Sequence, residues 1–157
     1  MTDVDLNLKG LDKILKSLKV KNIPKIKVGI LGSNANRGGN GPNNATIGAY
    51  HEFGTSTIPM RSFLRVPIAE NMQKKMQGSG AFNKQSMDET IRSGTLLPMM
   101  KKIAVLAEGI VLEAFDTGGY GKWAPWVDPS YKNNTGQLLV DTQQLRNSVT
   151  AEVVEQG

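Results

Sequence analysis

Cysteine is absent from this chain, which excludes a disulfide scaffold, a thiolate metal site and a thiol nucleophile. Aromatic residues are scarce: two tryptophans, three tyrosines and four phenylalanines. No window approaches eighteen apolar residues, and no basic N-terminal region leads into an apolar run. The expectation is a soluble chain made in the cytoplasm, with no membrane partner. The Asn-x-Thr triplets at Asn44 and Asn133 then carry no meaning as glycosylation acceptors. At 157 residues, the chain reads as a single domain spanning 1–157. That length suffices to bury roughly 70% of the unfolded surface.

Positive charge is present in excess. Nineteen basic against 14 acidic residues give a net charge of +5, and part of the excess is local. Lys9, Lys13, Lys16, Lys19, Lys21, Lys25 and Lys27 crowd the first 27 residues. Such a run suits nucleic-acid or anionic-surface contact, and equally a solvated helix face. No aromatic residues interleave with these lysines, so a base-stacking platform is not expected.

Periodicity orders the rest. Leu11, Ile14, Leu15 and Leu18 predict an amphipathic helix over residues 8–20. Ile26, Val28 and Ile30 alternate with Lys25, Lys27 and Gly29, which predicts a half-buried strand. Residues 32–44 hold glycine and asparagine and nothing apolar larger than alanine, and they predict a mobile loop. Glycines after a strand invite a phosphate-loop reading, but neither the dinucleotide pattern nor a Gly-Lys-Ser/Thr ending is present.

Further on, Ile68, Met72 and Met76 mark a helix with one buried stripe, and Met87 and Ile91 mark a short one closed by Gly94. Met99, Ile103, Leu106, Ile110, Val111, Ala114 and Phe115 make the longest helical face, with Pro98 in its first turn and Gly118-Gly119 as its stop. Gly109 inside that helix predicts a close helix approach. Leu138-Leu139-Val140 reads as a short extended segment, and Asp141 or Thr142 as the cap of a brief helix through Leu145 and Arg146. Val149, Ala151 and Val153 alternate in a final strand, expected beside residues 26–30. The class is α+β: a small, mostly antiparallel sheet packed by one long helix, with shorter helices and long loops.

The stretch 46–65 organises the chain. Ile47, Tyr50 and Phe53 lie at helical spacing behind Asn44 or Thr46 as cap, and Gly54 is placed to end the helix in the left-handed conformation. Pro59 forces Ile58 into extended backbone, so residues 55–60 should form an extended strap. Pro67 suits the first turn of the next helix. His51-Glu52 begins the zinc-protease motif, but position 55 is Thr and His51 is the only histidine, so that motif is excluded. No metal ligands, cofactor or catalytic constellation emerge, and the chain does not read as an enzyme.

Tyr-His-Glu-Phe-Gly-Thr at 50–55, followed by Ile-Pro-Met-Arg-Ser-Phe-Leu-Arg at 58–65, resembles a signature of small tailed-bacteriophage proteins. These are the tail-completion, or neck, proteins of lambda-like and Mu-like phages. Trp123, Leu139-Val140-Asp141-Thr142 and Leu145-Arg146-Asn147-Ser148 are similar to the end of the Mu-like members, in which glycine rather than Gln143 usually follows the threonine. The resemblance implies a virion protein that terminates the tail or joins it to the head, in a ring that is often sixfold. Its implied partners are itself, the tail tube protein and the head connector, with DNA passing through the lumen without sequence recognition. Arg61, Phe63 and Arg65, with Trp123 and Trp126 in a later loop, are the candidate assembly interface, Arg61 and Arg65 forming an exposed charged face. The two tryptophans have a second reading, as a cap on the core. The alternative function is a basic nucleic-acid-binding accessory protein.

Overall fold

A computed structural model describes residues 23–126, 136–139 and 143–155. The helix expected over 8–20, with most of the lysines behind the nucleic-acid reading, lies outside the described residues, as do Val140, Asp141 and Thr142.

Among the described residues, two strands form the sheet: β1 (Lys25–Ile30) and β2 (Val149–Val154), antiparallel, with Val28 opposite Ala151 and Lys27 opposite Glu152. Their period-two pattern gives the sheet one apolar face, and Lys25, Lys27 and Glu152 are exposed on the other. Between the strands in sequence come α1 (Asn44–Phe53), α2 (Arg65–Gly78), α3 (Lys84–Ser93), α4 (Leu97–Thr117) and α5 (Gln144–Asn147). The class is α+β, and α4 packs against the sheet as expected.

Helix α4 is the core of the molecule. Met99, Ile103, Ala107 and Ile110 on one length of it meet Met72 and Met76 of α2, while Ile26 and Val28 pack on the same cluster. Val111 and Phe115 meet Phe63, Leu145 and Val149 further along. Burying each large side chain of this set contributes about 1.5–3 kcal/mol. Pro98 stands in the first turn, and Gly118 ends the helix in the left-handed region at φ 62°.

Several local expectations give way. Gly109 is exposed and has nothing within 4 Å of a Cβ placed on it, so no helix approaches there. In α3 Met87 packs on the core as expected, but the fully buried residues are Ser86 and Thr90, while Ile91 is 55% exposed. That inversion is tolerated because the Thr90 hydroxyl donates to the Ser86 carbonyl at 2.9 Å and Lys102 Nζ donates to Ser86 Oγ at 2.8 Å. Leu138 and Leu139 form a turn, with Leu139 at φ 61°, rather than an extended segment. Residues 32–44 open with a 3₁₀ turn (Gly32–Ala35), and Asn44 Nδ2 donates to the carbonyls of Asn34 and Asn36, each at 3.1 Å. Hydrogen bonds, not burial, hold the first half of that loop.

Candidate functional site

Helix α2 begins without a local cap. Its N-cap is Leu64, whose side chain can accept nothing, and its first turn carries no acidic residue. The leading N–H groups of a helix must nevertheless find acceptors. Here they come from α1. The carboxylate of Glu52, only 4% exposed, takes the N–H groups of Phe63 and Leu64 on Oε2, each at 2.9 Å. Its Oε1 takes the N–H of Arg65 at 3.1 Å and the hydroxyl of Ser62 at 2.6 Å. The same hydroxyl accepts from the N–H of Val66 at 3.1 Å, and Pro67 has no N–H to place. Every leading donor of α2 is thereby satisfied, and a negative charge sits at its positive end.

This clamp dictates the orientation of α1. Asn44, Gly48 and Glu52 form its buried face, and Asn43, not Asn44 or Thr46, is the N-cap, accepting from Thr46 N–H at 2.8 Å. Ile47 packs against the core, but Tyr50 and Phe53 project outward, 45% and 62% exposed. The helix stops at Gly54, whose φ of 75° with ψ of 170° is a positive-φ extended conformation outside the left-handed helical region and open in practice to glycine alone. A Cβ there would also lie 3.0 Å from the Met60 nitrogen. Residues 55–58 close into a small loop instead of a continuous extended strap, with Thr55 N–H donating to the Ile58 carbonyl at 2.8 Å. The chain then returns along α1, and Arg61 N–H donates to the His51 carbonyl at 2.8 Å.

Arg61, Phe63, Arg65, Trp123 and Trp126 do come together in space, but largely as an internal assembly. Phe63 is buried and stacks on Phe115 at 5.0 Å between ring centroids, and Trp123 meets Phe115 edge-on at 5.8 Å. Trp123 Nε1 donates to the Ser62 carbonyl at 2.9 Å. Gly119 makes room for this return, because a Cβ there would run into the indole. Arg61 is 5% exposed, correcting the exposed Arg61/Arg65 pair. Its guanidinium donates to the carbonyls of Ala124 at 2.9 Å and Pro125 at 2.8 Å, with Trp126 lying 5.8 Å from its centre. Arg65 is half-buried: its Nε donates to Glu52 at 3.1 Å and its guanidinium lies 4.7 Å over the Phe53 ring.

His51 completes the site. Its Nδ1 is buried and has no partner among the described residues, and burial, seconded by the charge of Arg61, lowers its pKa from the ordinary 6.5. Among the described residues, no group of three or more histidines, aspartates and glutamates is placed to hold a metal ion. The sequence did not mark Glu52, Ser62, Tyr50 or Met60 as site residues. A signal for Glu52 existed in the uncapped start of α2, which demands an acceptor from elsewhere in the chain.

Above the clamp, Tyr50 and Phe53 are neighbours on α1, and Met60, 55% exposed, lies beside Gly54. Tyr50 and Phe53 form an exposed aromatic pair with Arg65 over the Phe53 ring; Met60 is a separate exposed apolar residue on the returning chain. Comparison with protein-family models, curated protein sequences and solved structures gives no match to this chain.

Proposed function

We propose that this is a structural virion assembly protein of a tailed phage, which completes the tail and joins it to the head as a ring. The observation that supports the reading is the exposure of three large apolar residues, Tyr50 and Phe53 on α1 and Met60 on the chain that returns along it, on a segment that Glu52 clamps from within. Large apolar side chains grouped on an exposed surface mark protein contacts, and aromatic residues and methionine are enriched in them. A head-to-tail contact through such a surface closes into a ring when its rotation permits. The polar groups of the Tyr-His-Glu-Phe-Gly-Thr motif support the same reading, since Glu52 has its oxygens engaged in structure and none turned to solvent.

Electron microscopy of particles made with this gene alone deleted tests the proposal. Filled heads separated from tails, with tails unattached or abnormally long, are the expected result. Normally joined virions would refute it.

A further inference from the structure

The two edges of the sheet differ. On β2, the N–H of Ala151 donates to Glu108 Oε2 of α4 at 2.8 Å, so it points away from β1. In an antiparallel ladder, both residues of a pair that does not exchange hydrogen bonds direct their N–H and C=O groups outward. Ala151 faces Val28. Val28, and by alternation Ile26 and Ile30, therefore turn their backbone groups to the outer edge of β1. Among the described residues, no backbone group of another element bonds to them there. A carboxylate occupies the outward N–H of Ala151 on the β2 edge; among the described residues, the outward donors and acceptors of Ile26, Val28 and Ile30 on the β1 edge have no backbone partner.

We infer that the β1 edge pairs with β1 of a second copy, giving a two-fold contact and a continuous antiparallel sheet in the order β2-β1-β1-β2. The residues suit this occupant and disfavour an axis at Lys27. An axis at Val28 sets Val28 against Val28 and Ile26 against Ile30, so every outward group on these residues finds a partner. The β-branched side chains then pair on the core side of the sheet. On the other face, Lys27 meets Gly29 and Lys25 meets Leu31, so no like charges oppose. An axis at Lys27 would set lysine against lysine, which is destabilising. Pairing of β1 with β2 of another copy requires displacing Glu108, so the contact closes at two copies instead of propagating. It uses a different surface from that of Tyr50, Phe53 and Met60 and does not depend on the phage assignment.

The test is amide hydrogen exchange of the full chain over a hundredfold range of concentration, with sedimentation equilibrium on the same samples. The expected result is concentration-dependent association in which the Ile26, Val28 and Ile30 amides slow as β1 edges pair, while Lys27 and Gly29, bonded within the subunit ladder, stay protected throughout. Val28→Pro removes an outward N–H and leaves the β1–β2 bonds intact, so it should abolish the edge contact, at a cost in melting temperature because Val28 also packs on the core. Protection at 26, 28 and 30 that ignores concentration would overturn the inference, because it would mean that the chain covers its own edge. A monomer at every concentration, or association that leaves those three amides exchanging freely, would overturn it too. Should Val28→Pro fail to fold, exchange in the unsubstituted chain decides.

Discussion

Glu52 Oε1 accepts hydrogen bonds from both the backbone N–H and the side-chain Nε of Arg65, each at 3.1 Å. One carboxylate oxygen thus holds the first residue of α2 by its main chain and its side chain at once. The Arg65 guanidinium, fixed in this way, lies over Phe53, the neighbour of Glu52 on α1. Inward and outward residues of the motif are coupled through a single arginine, so damage to the clamp should be felt at Phe53.

Glu52→Gln keeps the shape of the side chain but turns an NH₂ group toward backbone donors. Removing a buried charge from its full set of partners costs about 3–5 kcal/mol. Ser62→Ala, which leaves Val66 N–H without its acceptor, should cost about 1–3 kcal/mol. Urea unfolding of the two variants reads both values. A Glu52→Gln protein as stable as the parent would remove the clamp from the account.

Arg61→Lys preserves charge but not the planar fork that reaches two carbonyls. The expected loss is about 1.5–3 kcal/mol, with red-shifted tryptophan emission as the Ala124–Trp126 segment loosens. Unchanged emission and stability would show that the guanidinium geometry is dispensable.

Gly109→Ala should stabilise the protein by about 1 kcal/mol, since the position is exposed, helical and open to a methyl group. Thermal melts check this. A lower melting temperature would reveal a close contact at Gly109.

His51 makes stability depend on pH. Burial, and after it Arg61, lowers its folded-state pKa below the ordinary 6.5, so between the two values the unfolded chain binds more protons than the folded one. The histidine's contribution is complete above 6.5 and declines as pH falls from there toward the folded value. His51→Gln should flatten that decline in urea midpoints recorded from about pH 7.5 down to about pH 5. Parallel profiles for the two proteins would assign the slope to other groups.

Phe53→Glu with Met60→Glu should leave the melting temperature within a few degrees of the parent, because both side chains stand in solvent. The same double variant should fail to restore joined virions when supplied to particles lacking the gene. Full restoration would move the assembly contact off these residues.

Much of the architecture was determined by sequence alone, through periodicity and punctuation. The apolar stripe of α4, the alternation in β1 and β2 and the stops at Gly94 and Gly118 are local patterns, and burial of the apolar face is the main driving force behind them. The α+β class followed. In α1 the same logic named the helix but did not tell which of its faces is buried. Its period offered Ile47, Tyr50 and Phe53 against Asn44, Gly48 and Glu52, and hydrophobicity favoured the first set. Tertiary structure favoured the second, because the uncapped start of α2 presented donors that only a carboxylate could satisfy, and leaving them buried and unpaired costs more than exposing Tyr50 and Phe53 does. Arg61 turned inward on the same principle, to carbonyls more than sixty residues away in the chain. A helical period states which residues share a face. Which face is buried depends on where the rest of the chain brings its unsatisfied donors and acceptors.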